Sequence, residues 1–339
     1  MNTIAYAAGK SGGHIIPCLT LAARYKNKNP GARTVFFSTH HALDKQLLEN
    51  PAVDVHVALP LHSTSRRTWY RYPLLLAELA SAFCKSVYLL RKNNVKEVVS
   101  TGGLVAIPVV FAARLLRIPV SLWELNVEPG KAISFLSRYA TTVYTCFPQT
   151  QHYLPHAHCV LAPYPVRYTA RDIQEPHAAR QALGLDPHRF TIFIIGGSQG
   201  SVSLNMLIKN TIEQYPELRT NTQYIHQTGT GQITDWQLWY KQQAIPALTF
   251  AYRDDIAPLL SAADIIISRA GAGAIFETAL FGKKTIIAPL SINYTQHQCL
   301  NATAYAEQYP NRVAVLTPEQ QTNPHALFTL IEPFLKKSF

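Results

Sequence analysis

Four glycine-rich turns carry the residues of this chain that could do chemistry, and each follows a short apolar run. The first is Gly9-Lys10-Ser11-Gly12-Gly13-His14. Residues without a side chain let backbone amides approach an anion at a helix start. It is not a Walker-type phosphate loop, because Lys10 precedes the glycine pair instead of following it. His14 suits a general base, since a neutral imidazole titrates near working pH; a helix-capping histidine is the ordinary alternative. The second turn is Ser100-Thr101-Gly102-Gly103, and after the next apolar run comes Trp123-Glu124-Leu125-Asn126-Val127-Glu128-Pro129-Gly130. Glu124 and Asn126 at a strand end either face a ligand or cap the following helix. The third, Gly196-Gly197-Ser198-Gln199-Gly200, has what a diphosphate cradle needs: close backbone approach, amides and the positive end of a helix. The fourth, Arg269-Ala270-Gly271-Ala272-Gly273, leads to Glu277, whose carboxylate offers acceptors to paired ribose hydroxyls. Gln296 and Gln298 can donate and accept toward sugar hydroxyls, although either in isolation would read as a solvated surface residue.

These turns need two series of strands to position them. Ile4 to Ala8, Thr34 to Ser38, Val53 to Leu59, Glu97 to Ser100, Val120 to Trp123 and Thr142 to Thr145 form the first. Thr191 to Ile195, Gln223 to Gln227, Leu248 to Ala251, Asp264 to Ser268, Thr285 to Ala288 and Val313 to Leu316 form the second. Alternation with helix-length segments predicts an α/β fold: two Rossmann-like, doubly wound parallel-sheet domains facing an interdomain cleft, with ligands at the strand carboxyl ends. The expected boundaries are 1–163, 164–323 and 324–339. The closing segment reads either as a helix returning to the first domain or as a plain terminal helix.

Composition narrows the class. A chain of 339 residues with 47% hydrophobic and 15% charged residues is long enough for two cores. Cys18, Cys84, Cys146, Cys159 and Cys299 are odd in number and show no CxxC spacing, so neither a disulfide framework nor a zinc site is suggested. The start lacks a signal-peptide pattern, and no apolar stretch of membrane-spanning length is read after it. The expectation is a cytosolic protein, at most peripheral. A net charge of +11 fits nucleic acid, an anionic membrane surface, a phosphorylated substrate or a generally basic surface.

The four turns in this order resemble the MurG family of inverting glycosyltransferases with the GT-B fold, over about residues 3 to 310. The most specific parts are Gly12-Gly13-His14, Gly196 to Gly200 with Asn205, and Arg269 through Glu277. The resemblance implies transfer of GlcNAc from UDP-GlcNAc to the 4-hydroxyl of MurNAc in an undecaprenyl-diphosphate-linked acceptor, with inversion and without a metal or other cofactor. It implies His14 as base, with Asn126 and Glu124 beside it. Ser11, Gly12, Gly13, Arg167, Gly197, Ser198, Gln199, Gly200, Arg269, Gly271 and Ala272 would bind the donor. Ile256, with Arg253, would line the uracil site; Glu277 would take the ribose hydroxyls; Gln296 and Gln298 would read GlcNAc. The sequence departs from the family pattern at Lys10 and Leu104, at Trp123 through Asn126, at Tyr164-Pro165-Val166-Arg167 and at Gln296, mostly on the acceptor side.

Arg66, Arg67, Trp69, Tyr70, Arg71 and Leu75, followed by Phe83, Lys85, Tyr88, Arg91 and Lys92, interleave basic with apolar side chains. That mixture suits the headgroup boundary, where Arg66, Arg67 and Arg71 would contribute roughly 3 kcal/mol toward reversible attachment at the cytoplasmic face of the cell membrane. No nucleic-acid module surrounds them, so nucleic acid is not an expected partner, and the oligomeric state stays open. Two other activities use the same donor: a UDP-GlcNAc epimerase, which would need paired carboxylates beside the sugar, and a membrane scaffold that binds the donor without turnover.

Overall fold

The computed structural model describes residues 2–62, 72–197, 200–220, 222–230, 233–290 and 296–336, with the side chains of Tyr72 and Gln296 left aside. The chain divides into two compact units, Met1–Arg167 and Tyr168–Phe339. That boundary lies four residues past the one expected at 163/164.

The first unit runs β1 (Thr3–Ala7), α1 (Gly12–Lys28), β2 (Arg33–Thr39), α2 (Ala42–Leu48), β3 (Val55–Leu59), α3 (Tyr72–Lys92), β4 (Val95–Ser100), α4 (Ala106–Leu115), β5 (Val120–Glu124), α5 (Lys131–Leu136), β6 (Thr142–Thr145) and β7 (Cys159–Leu161). Its sheet has the order β3-β2-β1-β4-β5-β6-β7 and is parallel throughout. Alternation of side chains across the pleat sends neighbours on one strand to two different cores. Ile4 and Tyr6 join Phe36 and Val99 against Ile15, Cys18 and Leu19 of α1. Ala5 and Ala7 join Val35, Phe37 and Val98 against Ala82 and Leu90 of α3 and Val109, Val110 and Ala113 of α4.

The second unit runs α6 (Pro176–Ala182), β8 (Phe190–Ile195), α7 (Val202–Gln214), β9 (Thr222–Gln227), α8 (Ile233–Gln242), β10 (Ala247–Phe250), α9 (Ala257–Ala262), β11 (Ile265–Ser268), α10 (Ala272–Leu280), β12 (Lys284–Ile287), α11 (Gln296–Gln308), β13 (Val313–Val315) and α12 (Pro324–Leu335). Its sheet, β10-β9-β8-β11-β12-β13, is also parallel. The closing helix α12 belongs to this unit. Leu327, Phe328, Ile331 and Leu335 are buried with Ile192, Ile194, Leu204 and Ile208, and Phe328 stacks on Tyr215 at 3.9 Å between ring centroids. α12 fills the stripe that α7 leaves beside the second sheet. All twelve expected strands form, and β7 was not anticipated.

Candidate active site

In the first unit the chain leaves β1 toward β2 and leaves β4 toward β5, so the carboxyl ends of β1 and β4 flank the topological switch point where open α/β sheets bind ligands. The first glycine turn lies there. Its anchor is Asp44 in the first turn of α2, fully buried. Asp44 Oδ1 accepts from the Lys10 amide at 2.9 Å, and Oδ2 accepts from the Thr39 amide at 3.0 Å and the Thr39 hydroxyl at 2.7 Å. A Cβ on Gly9 would stand 2.9 Å from that Oδ2, so a larger residue would have to displace the carboxyl from its hydrogen bonds. Lys10 has φ 71°, the left-handed region that glycine enters without strain, at the position where the sequence departs from the family's glycine.

His14 is the third residue of α1, and its Nδ1 lies 2.8 Å from the Thr101 carbonyl oxygen in the turn after β4. A carbonyl only accepts, so Nδ1 carries the proton and Nε2 is the ring's basic nitrogen. Thr101 secures the arrangement from its other end: its hydroxyl donates to the His14 carbonyl at 2.9 Å and lies 3.5 Å from Cys18 Sγ, one helical turn on. Ser11 is the N-cap of α1, and Gly12 and Gly13 open the helix beside it.

Glu124 at the end of β5 is buried, and both its oxygens are engaged. Oε1 accepts from the amides of Leu125 and Asn126 at 2.9 Å each and from Asn126 Nδ2 at 3.2 Å; Oε2 accepts from the Gly130 amide at 2.9 Å. Burial pushes its carboxyl up to about 7 against the opposing pull of those donors. The geometry gives Glu124 the work of shaping the 125–130 loop, which carries half-buried Asn126, and not of facing a ligand itself. Trp123 stacks on Tyr144 with centroids 4.8 Å apart.

In the second unit the switch point lies between β8 and β11. The Gly200 amide donates to the Gly197 carbonyl at 2.9 Å, closing the turn before α7. Gly200 has φ 74°, and a Cβ there would meet Gly229 Cα and Thr228 O at 2.5 Å. That close approach is maintained by a buried relay. The Tyr240 hydroxyl donates to His226 Nδ1 at 3.1 Å, His226 Nε2 donates to Asn205 Oδ1 at 3.1 Å, and Asn205 Nδ2 donates to the Thr228 carbonyl at 2.9 Å. Burial pushes His226 down to about 3, so it is neutral, as the relay requires.

Arg269, buried just after β11, spreads its guanidinium over three loops. Nε and Nη2 reach Ser201 Oγ at 3.0 and 2.7 Å, Nη2 also reaches Ser203 Oγ at 2.7 Å, and Nη1 reaches the Ala288 carbonyl at 3.0 Å and Gln321 Oε1 at 2.6 Å. Gln321 in turn donates to the Pro289 carbonyl at 2.7 Å and the Leu316 carbonyl at 3.2 Å. Gly271 is the N-cap of α10, Ala272 its first residue, and Glu277 is nearly buried one and a half turns on. Gln298 Oε1 accepts from the Leu290 amide at 3.1 Å. The Ile256 side chain is buried, and its amide donates to the Tyr168 hydroxyl at 2.9 Å. The Arg253 guanidinium lies over the Phe250 ring at 5.9 Å. Arg167 is the last residue of the first unit. Ser198, Gln199 and the Gln296 side chain lie outside the described residues.

Helix α3 corrects one expectation. Pro73–Lys92 is long and apolar enough to cross a membrane by length and composition, although no such stretch was read in the sequence. One side packs on α4 through Ala82 and Leu90. Elsewhere along the helix Leu74, Leu76 and Tyr88 are between 54% and 66% exposed, with Leu75 half-buried. Near its end Phe83, Cys84, Val87, Tyr88, Arg91, Lys92 and Leu115 line a hollow of about 580 Å³. Arg66, Arg67, Trp69, Tyr70 and Arg71 lie outside the described residues.

Comparison with known proteins fits these two units. Residues 4–145 match the glycosyltransferase family 28 N-terminal domain and residues 191–338 the family 28 C-terminal domain. A relative from Synechococcus elongatus is 30% identical over 320 residues, 93% of this chain and 83% of its own length. The chain belongs to glycosyltransferase family 28. That relative is the UDP-N-acetylglucosamine–N-acetylmuramyl-(pentapeptide) pyrophosphoryl-undecaprenol N-acetylglucosamine transferase of its organism, and the same enzyme of Desulforudis audaxviator is 30% identical over 89% of this chain and 82% of its own. Among solved structures, Acinetobacter baumannii MurG superposes with a TM-score of 0.74 at 24% identity, covering 98% of this chain and 90% of that one. The UDP-GlcNAc 2-epimerase of Neisseria meningitidis bound to UDP-GlcNAc gives 0.65 at 13% identity, covering 100% and 94%. Both likenesses show the shared fold.

Asp44, Thr101, Ser203 and Gln321 were missed by sequence reasoning. Asp44 in a first helical turn reads as an ordinary dipole partner, and the others act through contacts distant in sequence.

Proposed function

We propose that this protein transfers N-acetylglucosamine from UDP-GlcNAc to the 4-hydroxyl of MurNAc in undecaprenyl-diphosphate-MurNAc-pentapeptide, forming lipid II in peptidoglycan biosynthesis. The observation that carries the reading is the His14 tautomer, with Nδ1 bound to the Thr101 carbonyl at a switch point. The activity that its relatives' names state supports the same donor and acceptor. His14 Nε2 takes the proton of the acceptor hydroxyl as its oxygen attacks the anomeric carbon. The bond to the β-phosphate oxygen breaks with its electron pair leaving on UDP, and the configuration inverts from α to β. Charge developing on the diphosphate is met by the Gly196 to Gly200 turn and the start of α7, a preorganised polar environment that needs no metal ion. Glu277, Gln298 and the loop around Ile256 hold the ribose, sugar and base of the donor. The exposed apolar side chains of α3, with Arg91 and Lys92 at its end, support peripheral attachment to an anionic membrane surface, and the face proposed for it is the cytoplasmic one.

The test is UDP release from UDP-GlcNAc in detergent, with and without a lipid I analogue. Release that requires the analogue is the expected result. Release or isomerisation with the donor alone would point instead to epimerisation, and saturable donor binding without turnover to a non-catalytic scaffold.

A further inference from the structure

Arg269 is a buried cation in the second unit. Taking a guanidinium out of water is costly, and a carboxylate partner is the common remedy. Here every hydrogen-bond partner is neutral: Ser201, Ser203, the Ala288 carbonyl and Gln321, and among the described residues no carboxylate forms an ion pair with it. Its five N–H groups are all engaged within the protein, so a sixth contact to a ligand would have to displace one. The guanidinium bonds directly to the N-cap of α7, adding a full positive charge to the positive end of that helix.

We propose that Arg269 acts on the donor's diphosphate through its field and not by contact, and that Ser203 and Gln321 are positioning residues that satisfy the guanidinium without neutralising it. This rests on the donor reading given above. An ion pair could also tie the three loops, but it would neutralise the charge. The neutral set is explained when the charge itself is used.

Affinities for UDP and for uridine, measured by calorimetry on the full chain, separate charge from shape because uridine lacks the phosphates. Arg269→Lys keeps the charge and loses most of the bonds, whereas Arg269→Gln loses both. The expected result is a UDP-over-uridine preference close to wild type in Arg269→Lys and reduced about tenfold in Arg269→Gln. Equal preferences in the two variants overturn the proposal. Ser203→Asp guards against misfolding of either. A carboxylate at the second residue of α7 meets both the guanidinium and the helix end, so the melting temperature holds or rises while UDP binding weakens about tenfold and uridine binding stays unchanged. Unchanged UDP binding in Ser203→Asp, or an equal loss for uridine, overturns it. Absence of UDP and uridine binding in the wild type would instead remove the donor reading on which the proposal stands.

Discussion

The turn before α1 and the turn before α7 have the same form, a strand end, paired glycines and a helix start, yet groups of opposite type hold them, carboxyls in the first unit and a guanidinium in the second. In the first unit buried carboxylates do the holding: Asp44 gathers the amides of Lys10 and Thr39, and Glu124 gathers those of Leu125, Asn126 and Gly130. In the second, a buried cation and a neutral relay do it, through Arg269 and the Asn205–His226–Tyr240 chain. The difference matches the roles proposed above for the two turns. In the proposed reaction a base that collects a proton becomes positive and gains from any ionised carboxylate near it, and a turn that holds a diphosphate gains from a nearby cation.

The comparison makes consequences measurable, beginning with the largest. His14→Ala removes the base, and turnover in the lipid I assay falls by about 10²- to 10⁴-fold while UDP affinity stays near wild type, because the loss is confined to the first unit. Gly200→Ala forces a Cβ into Gly229 and Thr228, and chemical denaturation should show a loss of about 2 to 4 kcal/mol together with weaker UDP binding.

The carboxylate side predicts a pH signature. Burial raises Glu124 in the folded chain to about 7, so between its ordinary range and that value the folded state holds a proton that the unfolded state has released. The associated stabilisation, on the order of 3 kcal/mol, is full below the unfolded pKa and is lost as pH rises through about 7. Denaturation midpoints followed from pH 4 to pH 8 should therefore carry a falling component that Glu124→Gln abolishes; an unchanged slope in the variant would mean that the four donors keep the carboxylate ionised. The smallest effect has the opposite sign. Lys10→Gly relieves a left-handed backbone and should raise stability by about 0.5 to 1 kcal/mol, read as a small rise in melting temperature.

Much of the fold was legible because a parallel sheet buried on both faces is built from short apolar runs, and runs such as Phe190–Ile195 and Ile265–Ser268 can be read without knowing their neighbours. Strand β7 was not: Cys159–Leu161 is three residues long, lies at the sheet edge and is largely exposed, so no burial pattern marks it. The glycine turns and His14 were legible because close backbone approach leaves few alternatives to glycine. The roles inside the turns were less so. Glu124 and Arg269 look like ligand-facing residues in the sequence, and the structure turns both toward backbone and neutral side chains.

By itself, the sequence determined the two series of strands, the four turns and the kind of chemistry they could support, since these depend on residues close together in the chain. Tertiary structure alone decided that Thr101 sets the tautomer of His14 across 87 positions, that Gln321 completes the shell of Arg269 across 52, and that α12 closes the second core. The physical reason is that a hydrogen bond or a buried charge is defined by what surrounds it in space, and the partners here come from strands and loops that only the folded sheets bring together.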